Sequence, residues 1–433
     1  MAERLDIVIF GATGFTGKRC IPEIVKFSKV NGRTLTWGIA GRSEQKLKDV
    51  LEEMEKVIAK DLKSIPVIVA DIKDEESLKQ MTAKAKVILN CCGPYRFFGE
   101  PVIKACVETG THQLDVTGES QYMDQIQLKY GDACKEKGIY IVSACGFDSI
   151  PADLGVIFLE NKFEGTLNSV ESYLEAYEEG ESTPGPAINY GTWETLVHGI
   201  ANSGELKELR QKLYPQKLPT FTPKLKFRGY VHKCETTGKW ALPFLGSDRS
   251  VITKTQRFLY EHDRKRPIQI QTYFTVDSLF RVFVLAIVAG IIAVLTKFQF
   301  GRNLLLRYPG FFTFGFFEYQ RGPSEEKQKK TKFAITFCGN GWTEKLTEPE
   351  DNYKQPPNKM AVARVSGTDP AYGITCTALV LSGIIILTET DKLPDRGGVF
   401  TPGAAFAKTS LIEKLEKDGL KFEIIAMTEA RES

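Results

Sequence analysis

The short β-rich run Leu5-Asp6-Ile7-Val8-Ile9-Phe10 passes directly into Gly11-Ala12-Thr13-Gly14-Phe15-Thr16-Gly17, and Lys18 to Ser28 can continue as a helix. Few arrangements satisfy a buried strand, a glycine-rich turn and a helix in immediate succession. Glycines allow the tight turn and the close approach of backbone to a ligand, while the N–H groups and dipole of the following helix suit a pyrophosphate. The spacing is G-x-x-G-x-x-G rather than G-x-G-x-x-G. A purely structural turn competes with this reading, but position after a strand and before a helix decides for dinucleotide binding. Pro22 falls in the first turns of the expected helix, where a missing N–H is best tolerated.

The alternation continues. Strands are expected at Thr34–Ala40, Ile65–Ala70, Lys86–Cys91, His112–Val116 and Ile139–Ser143, with helices at Glu44–Ala59, Ser77–Ala83, Pro101–Thr109 and Met123–Lys137. This rhythm predicts an α/β fold, a Rossmann-type doubly wound parallel sheet. Ligands of such sheets sit outside the carboxyl ends of the strands. The expected dinucleotide contacts are therefore Gly11, Thr13, Gly14, Phe15, Thr16 and Gly17 at the first turn. Arg42 and Ser43 follow the second strand, Asp71 the third, and Cys92 and Gly93 the fourth. A free ribose 2′-OH favours Asp or Glu after the second strand, whereas Arg42 offers a cation to a 2′-phosphate, so NADP is preferred over NAD. Arg42 as a solvated loop residue is the competing reading.

Composition bounds the rest. The 433 residues suggest two or three domains, and a net charge of +3 is too balanced for a nucleic-acid partner. Nine cysteines without a C-x-x-C pair fit cytosolic thiols, and four histidines in no ligand spacing predict no metal. The first residues show neither an apolar signal core nor a glycine at position 2, where Ala2 stands, which predicts no secretory signal and no myristoyl anchor.

Several stretches resemble the saccharopine dehydrogenase superfamily: the Gly11–Gly17 turn, Ala40-Gly41-Arg42-Ser43, Leu89 to Tyr95, Gly99-Glu100-Pro101-Val102 and Gly146 to Gly155. The likeness returns at Gly397 to Gly403 and, more thinly, at Gly191-Thr192-Trp193 and Pro243 to Asp248. It is nearest to the animal saccharopine dehydrogenase-like oxidoreductases, and the bacterial trans-acting enoyl reductases of glycolipid synthesis are similar too. The resemblance implies an NAD(P)-dependent hydride transfer and an inserted α+β domain. It also implies a C-terminal segment returning to the first domain, and association with lipid droplets or membranes. True saccharopine dehydrogenases match Gly146–Gly155 only loosely, which argues against saccharopine as substrate.

The expected domains are a Rossmann domain at 1–155, an inserted domain at 156–370 and a returning segment at 371–433 that includes a strand at Phe422–Ala426. Period-two alternation at Ile268–Val276 and around Phe333, Ile335 and Phe337 gives the insert a mainly antiparallel sheet. Within it, 278–317 is unusually apolar. Val282–Leu295 carries no charge over fourteen residues, short of the ~20 needed to span a bilayer. An aromatic patch follows at Tyr308–Phe317, with Lys297, Arg302 and Arg307 between the two. This pattern predicts a helix and an aromatic segment dipping into one leaflet, and the resemblance implies that the surface is the cytosolic face of a lipid droplet or membrane. A fully buried core helix is the competing reading.

Candidate catalytic residues are Tyr95 as proton donor, Arg96 as an orienter of a carbonyl or carboxylate, and Asp148 beyond the sixth strand. No Y-x-x-x-K pair occurs, which argues against a short-chain dehydrogenase mechanism. Three functions stay open at this point: an NADP-dependent reductase of a hydrophobic substrate, a saccharopine-type amino-acid dehydrogenase, and a cofactor-binding scaffold on lipid droplets without catalysis. Homo-oligomerisation is compatible with the sequence and not specified by it.

Overall fold

The computed structural model describes residues 3–30, 32–346, 348–351, 353, 355–394 and 396–429; Ala2 lies outside them. The chain divides into two units, Met1–Phe147 with Tyr372–Asp418, and Asp148–Ala371 with Gly419–Ser433.

In the first unit β1 (Leu5–Phe10), α1 (Phe15–Phe27), β2 (Trp37–Gly41), α2 (Glu44–Ile58), β3 (Val67–Val69) and α3 (Glu75–Ala83) alternate. They are followed by β4 (Ala85–Asn90), α4 (Tyr95–Thr109), β5 (His112–Asp115), α5 (Ser120–Lys137) and β6 (Tyr140–Val142). The sheet runs in the order β3-β2-β1-β4-β5-β6 and is closed by Gly398–Phe400, with every pair parallel. The order reverses between β1 and β4, the point at which such sheets open a crevice for a dinucleotide. β1 and β2 are buried almost throughout, as strands covered on both faces must be.

The helix Thr375–Thr388 is apolar all round, and its residues from Thr375 to Ile386 are buried. A Cβ on its Gly383 would sit 2.9 Å from Leu89 Cδ2, so glycine lets the helix lie close on β4. With the turn before it, this is the one stretch among the described residues long and apolar enough to cross a membrane, and it is core instead.

Two local expectations needed correcting. α4 begins at Tyr95, not Pro101, because the Glu119 carboxylate accepts the Tyr95 and Arg96 N–H groups at 2.7 and 3.1 Å. That cap comes from a distant loop and leaves no local signal. The strand Gly398–Phe400 was not anticipated, being only three residues long and beginning on the second of two positive-φ glycines, Gly397 and Gly398.

The second unit is built on α6 (Ile150–Lys162) and a seven-stranded sheet. In order across it lie His232–Lys233, Trp240–Pro243, Gln269–Val276, Thr166–Glu178, Thr331–Trp342, Lys359–Thr368 and Lys421–Glu429. All pairs are antiparallel except Gln269–Val276 with Thr166–Glu178. α6 packs tightly on this sheet: a Cβ on Gly155 would fall 2.3 Å from the Phe337 ring.

The last strand was expected to return to the first sheet with the rest of 371–433. It pairs instead with Lys359–Thr368, burying Phe422 at the second sheet's edge. The division between units also falls after Phe147 rather than after Gly155, because α6 belongs to the second core.

A smaller core lies within the second unit. Trp193 and Val197 from the helix Tyr190–Ala201 pack with Ile292, Leu305 and Phe317. The Trp193 indole N–H donates to Leu305 O at 3.0 Å and the Tyr190 hydroxyl to Leu306 O at 3.1 Å. These bonds tie down the helix Gln299–Arg307, while apolar packing through Ile292 and Phe317 holds the helix Leu279–Leu295 and the aromatic turn against the same core.

That helix, Leu279–Leu295, is not a buried core helix. Only Val282 and Ile292 are buried, while Phe280, Phe283, Ile287, Ile291 and Val294 form an exposed stripe at helical spacing. Phe298, Phe300, Phe311 and Phe314 extend the exposed apolar surface, Phe311 to 80% and Phe314 to 78% of full exposure.

Candidate functional site

The glycine turn has the geometry its spacing implies. Gly11 has φ +83°, a conformation that side chains resist, and its N–H donates to Ala40 O at 3.0 Å. A Cβ on Gly17 would stand 2.3 Å from Gly11 O, so only glycine lets α1 start this close to the turn. The N-terminus of α1 is left open to a ligand. Its N-cap, Gly14, supplies no side-chain cap, and its first turn holds no acidic residue. In contrast, Ser43 caps α2 and Asp74 caps α3. Thr13 and Gly14 are exposed at this open end, which suits a bound phosphate.

The other expected contacts follow the carboxyl ends of neighbouring parallel strands. Arg42 is exposed directly after β2, and Ser43 Oγ accepts from Lys46 N at 3.4 Å. Asp71 follows β3, its Oδ1 accepting from Lys73 N at 3.0 Å. Beyond β4, Cys92 packs its thiol against the glycine turn: a Cβ on Gly11 would meet Cys92 Sγ at 2.7 Å. Desolvation pushes that thiol far above its ordinary pKa, which keeps it protonated. Gly93 is exposed beside it.

A profile of the saccharopine dehydrogenase NADP binding domain matches residues 7–142, the stretch that carries this turn. A saccharopine dehydrogenase-like oxidoreductase of Homo sapiens is 40% identical over 427 residues, covering 98% of each chain. The chain belongs to the saccharopine dehydrogenase-like oxidoreductases.

A Caenorhabditis elegans relative named lipid droplet localized protein is 35% identical, with 97% of this chain and 98% of that one covered. A Mycobacterium tuberculosis protein described as a candidate trans-acting enoyl reductase is 26% identical over 96% of this chain and 97% of its own. The fold matches the apo saccharopine dehydrogenase (L-Glu forming) of Saccharomyces cerevisiae, with a TM-score of 0.54 over 98% of this chain and 100% of that one, at 12% identity. This oxidoreductase therefore carries an NADP-binding domain, and its open α1 terminus and exposed Arg42 fit that cofactor.

The proton-transfer candidates fare unevenly. Tyr95 is buried, and its hydroxyl donates to Asn90 O at 2.7 Å while accepting from Val116 N at 3.4 Å. Burial, with Asp115 nearby, raises it well above an ordinary tyrosine. Tyr95 thus fixes the β4–α4 loop, its hydroxyl committed to the backbone at Asn90 and Val116. Arg96 is partly exposed on the first turn of α4, whose start Glu119 secures.

Within the second unit Asp148 is exposed just before α6, and its carbonyl accepts from Ser247 Oγ at 2.9 Å. Behind it lie two buried carboxyls. Asp153 Oδ2 accepts from Thr255 Oγ1 at 2.8 Å. Asp248 is raised well above the carboxylate range, by desolvation first and then by Asp148 and Asp153. Sequence reasoning missed Asp248, although Pro243 to Asp248 had been singled out for its resemblance. It also missed Asp115, a buried carboxyl at the end of β5 that desolvation pushes up to about 7. No cluster of side chains suited to a metal occurs among the described residues.

Proposed function

We propose that this oxidoreductase is an NADP-dependent reductase of a hydrophobic or lipid-linked substrate, working while seated on the cytosolic surface of a lipid droplet or membrane. The carrying observation is the exposed apolar surface from Leu279 to Tyr319. Each of its exposed phenylalanines would gain about 1–2 kcal/mol on leaving water, so the seven together supply on the order of 10 kcal/mol. Soluble monomers rarely expose so much contiguous apolar area. The helix Leu279–Leu295 is too short to span a bilayer and turns its apolar stripe outward, the arrangement of a helix lying in an interface. The names of the worm and mycobacterial relatives support a lipid surface and a reduction respectively.

In this reading Gly11 to Gly17 hold the pyrophosphate and Arg42 with Ser43 the 2′-phosphate. Asp71 lies toward the adenosine, with Cys92 and Gly93 on the far side of the turn. NADPH supplies the hydride when bound, and the chain must supply the proton. Asp148 is the candidate donor, exposed just before α6 with the buried carboxyls Asp153 and Asp248 behind it. Arg96 is the candidate for orienting a substrate carbonyl.

The test is NADPH oxidation by purified protein offered a long-chain enone in phospholipid vesicles, with saccharopine plus NADP+ as the soluble comparison. Turnover of the vesicle-borne enone, lost in Asp148→Asn, supports the reading. Turnover of saccharopine alone would overturn it.

A further inference from the structure

The exposed apolar surface carries most of the chain's excess positive charge. Between Ser278 and Gly322 lie Arg281, Lys297, Arg302, Arg307 and Arg321 against the single carboxylate Glu318, a larger surplus than the +3 of the whole chain. Two of these cations are occupied locally. Arg281 pairs with Asp277 at 3.2 Å, and Arg302 donates to Thr296 O at 3.0 Å and Gln299 Oε1 at 2.6 Å.

Arg307 is different. Among the described residues its side chain has neither ion pair nor hydrogen bond, and its guanidinium lies 5.7 Å from the Tyr308 ring centroid. It shares a cavity of about 300 Å³ with Arg321, Tyr308, Phe311, Glu318 and Tyr319. Arg321 gives one terminal nitrogen to Glu318 at 2.8 Å. Two guanidiniums and one carboxylate thus line an open, shallow cavity whose rim includes Phe311, Tyr308 and Tyr319, all exposed. A ligand matching it must join an anion to hydrocarbon: the anion would meet the guanidinium forks, and the chains would run along the exposed phenylalanines. Arg is well suited to such a partner because its planar fork binds phosphate through paired N–H groups.

We propose that this cavity receives the phosphate of an anionic phospholipid, so that the attachment selects charged over neutral lipid surfaces. The proposal rests on the surface-seated reading above. It adds that Arg307 and Arg321 set the lipid preference, while the phenylalanines supply attachment to any lipid surface.

The experiment measures partition of the full chain onto vesicles of phosphatidylcholine alone and of phosphatidylcholine with about a third phosphatidic acid. It uses the wild type, R307Q/R321Q, and K297Q/R302Q as a control removing equal charge elsewhere. Two cations at an anionic surface are expected to give the acidic vesicles an advantage on the order of thirtyfold. R307Q/R321Q should lose most of that advantage and keep its affinity for neutral vesicles, with NADPH binding unchanged as the sign of an intact fold. K297Q/R302Q should keep most of it. Inorganic phosphate at millimolar concentration should not displace the wild type, since the acyl chains contribute to binding.

Equal partition of the wild type onto both vesicles would overturn the headgroup site and leave attachment standing. Equal losses in the two double variants would overturn it as well, showing diffuse charge in place of a site. Failure to bind either vesicle would overturn the surface-seated reading itself.

Discussion

Replacing Asp115 by asparagine should change how stability depends on pH, in a direction the geometry fixes. Asp115 is fully buried, and its Oδ1 accepts from Thr117 N at 3.1 Å and Ala144 N at 3.3 Å. Its Oδ2 accepts from Ser143 Oγ at 3.0 Å and Gln113 Nε2 at 3.2 Å. Desolvation outweighs these four donors and pushes the carboxyl up to about 7, against about 3.9 in an unfolded chain. Between those values the folded state holds a proton that the unfolded state has released. Stability therefore falls as pH rises through this window and levels off above pH 7. At about 1.4 kcal/mol per unit, the loss between pH 5 and pH 8 comes to roughly 2.5 kcal/mol.

Asparagine mimics the neutral acid. Its carbonyl keeps the two backbone donors, its amide can donate to Ser143 Oγ, and Gln113, whose Oε1 is buried without a partner, can turn to accept. Urea unfolding of both proteins at pH 5 and pH 8, without NADPH, reads the difference. The variant should gain about 2.5 kcal/mol on the wild type between the two pH values, other titrating groups cancelling in the comparison. A difference independent of pH would refute the reasoning, because Asp115 would then be ionised in the fold throughout.

Three further outcomes are expected. Gly17→Val places carbon against Gly11 O, where a Cβ would already stand at 2.3 Å; it should cost about 1–3 kcal/mol by urea unfolding and abolish NADPH binding by calorimetry. Glu119→Gln weakens a charged cap on α4 and should lower stability by about 1 kcal/mol in the same assay, with hydrogen exchange rising over Tyr95–Gly99. Phe311→Ser with Phe314→Ser removes two side chains that are 80% and 78% exposed, so the folded protein should be no less stable. Flotation with neutral vesicles should nevertheless weaken on the order of a hundredfold.

How far these features were legible depends on how local their causes are. The glycine turn, the strands β1 and β4 and the helix α2 declare themselves through runs of neighbouring residues, and they appear where the sequence puts them. α4 starts six residues early because its cap, Glu119, sits in a loop after another strand. The strand Lys421–Glu429 joins the second sheet because its partner is Lys359–Thr368, and alternation along one strand does not name the sheet it will join.

The apolar run Val282–Leu295 shows the same limit: hydrophobicity alone fits a core helix or a surface one. The exposed stripe through Phe280, Phe283, Ile287, Ile291 and Val294 becomes visible only once Trp193, Leu305 and Phe317 are seen to occupy the opposite face. At the site, residue types pointed to Tyr95, whereas its hydroxyl is committed to the Asn90 carbonyl. Burial, which sets the behaviour of Asp115 and Asp248, is a property of the packed chain.

The most direct test of the central claim is a fluorescence titration of the purified protein with NADPH and with NADH, in detergent that covers the apolar surface. Saturable NADPH binding, tighter than NADH in the wild type, equalised in Arg42→Gln and absent in Gly17→Val, is the predicted result. Saturation by neither nucleotide would contradict the account.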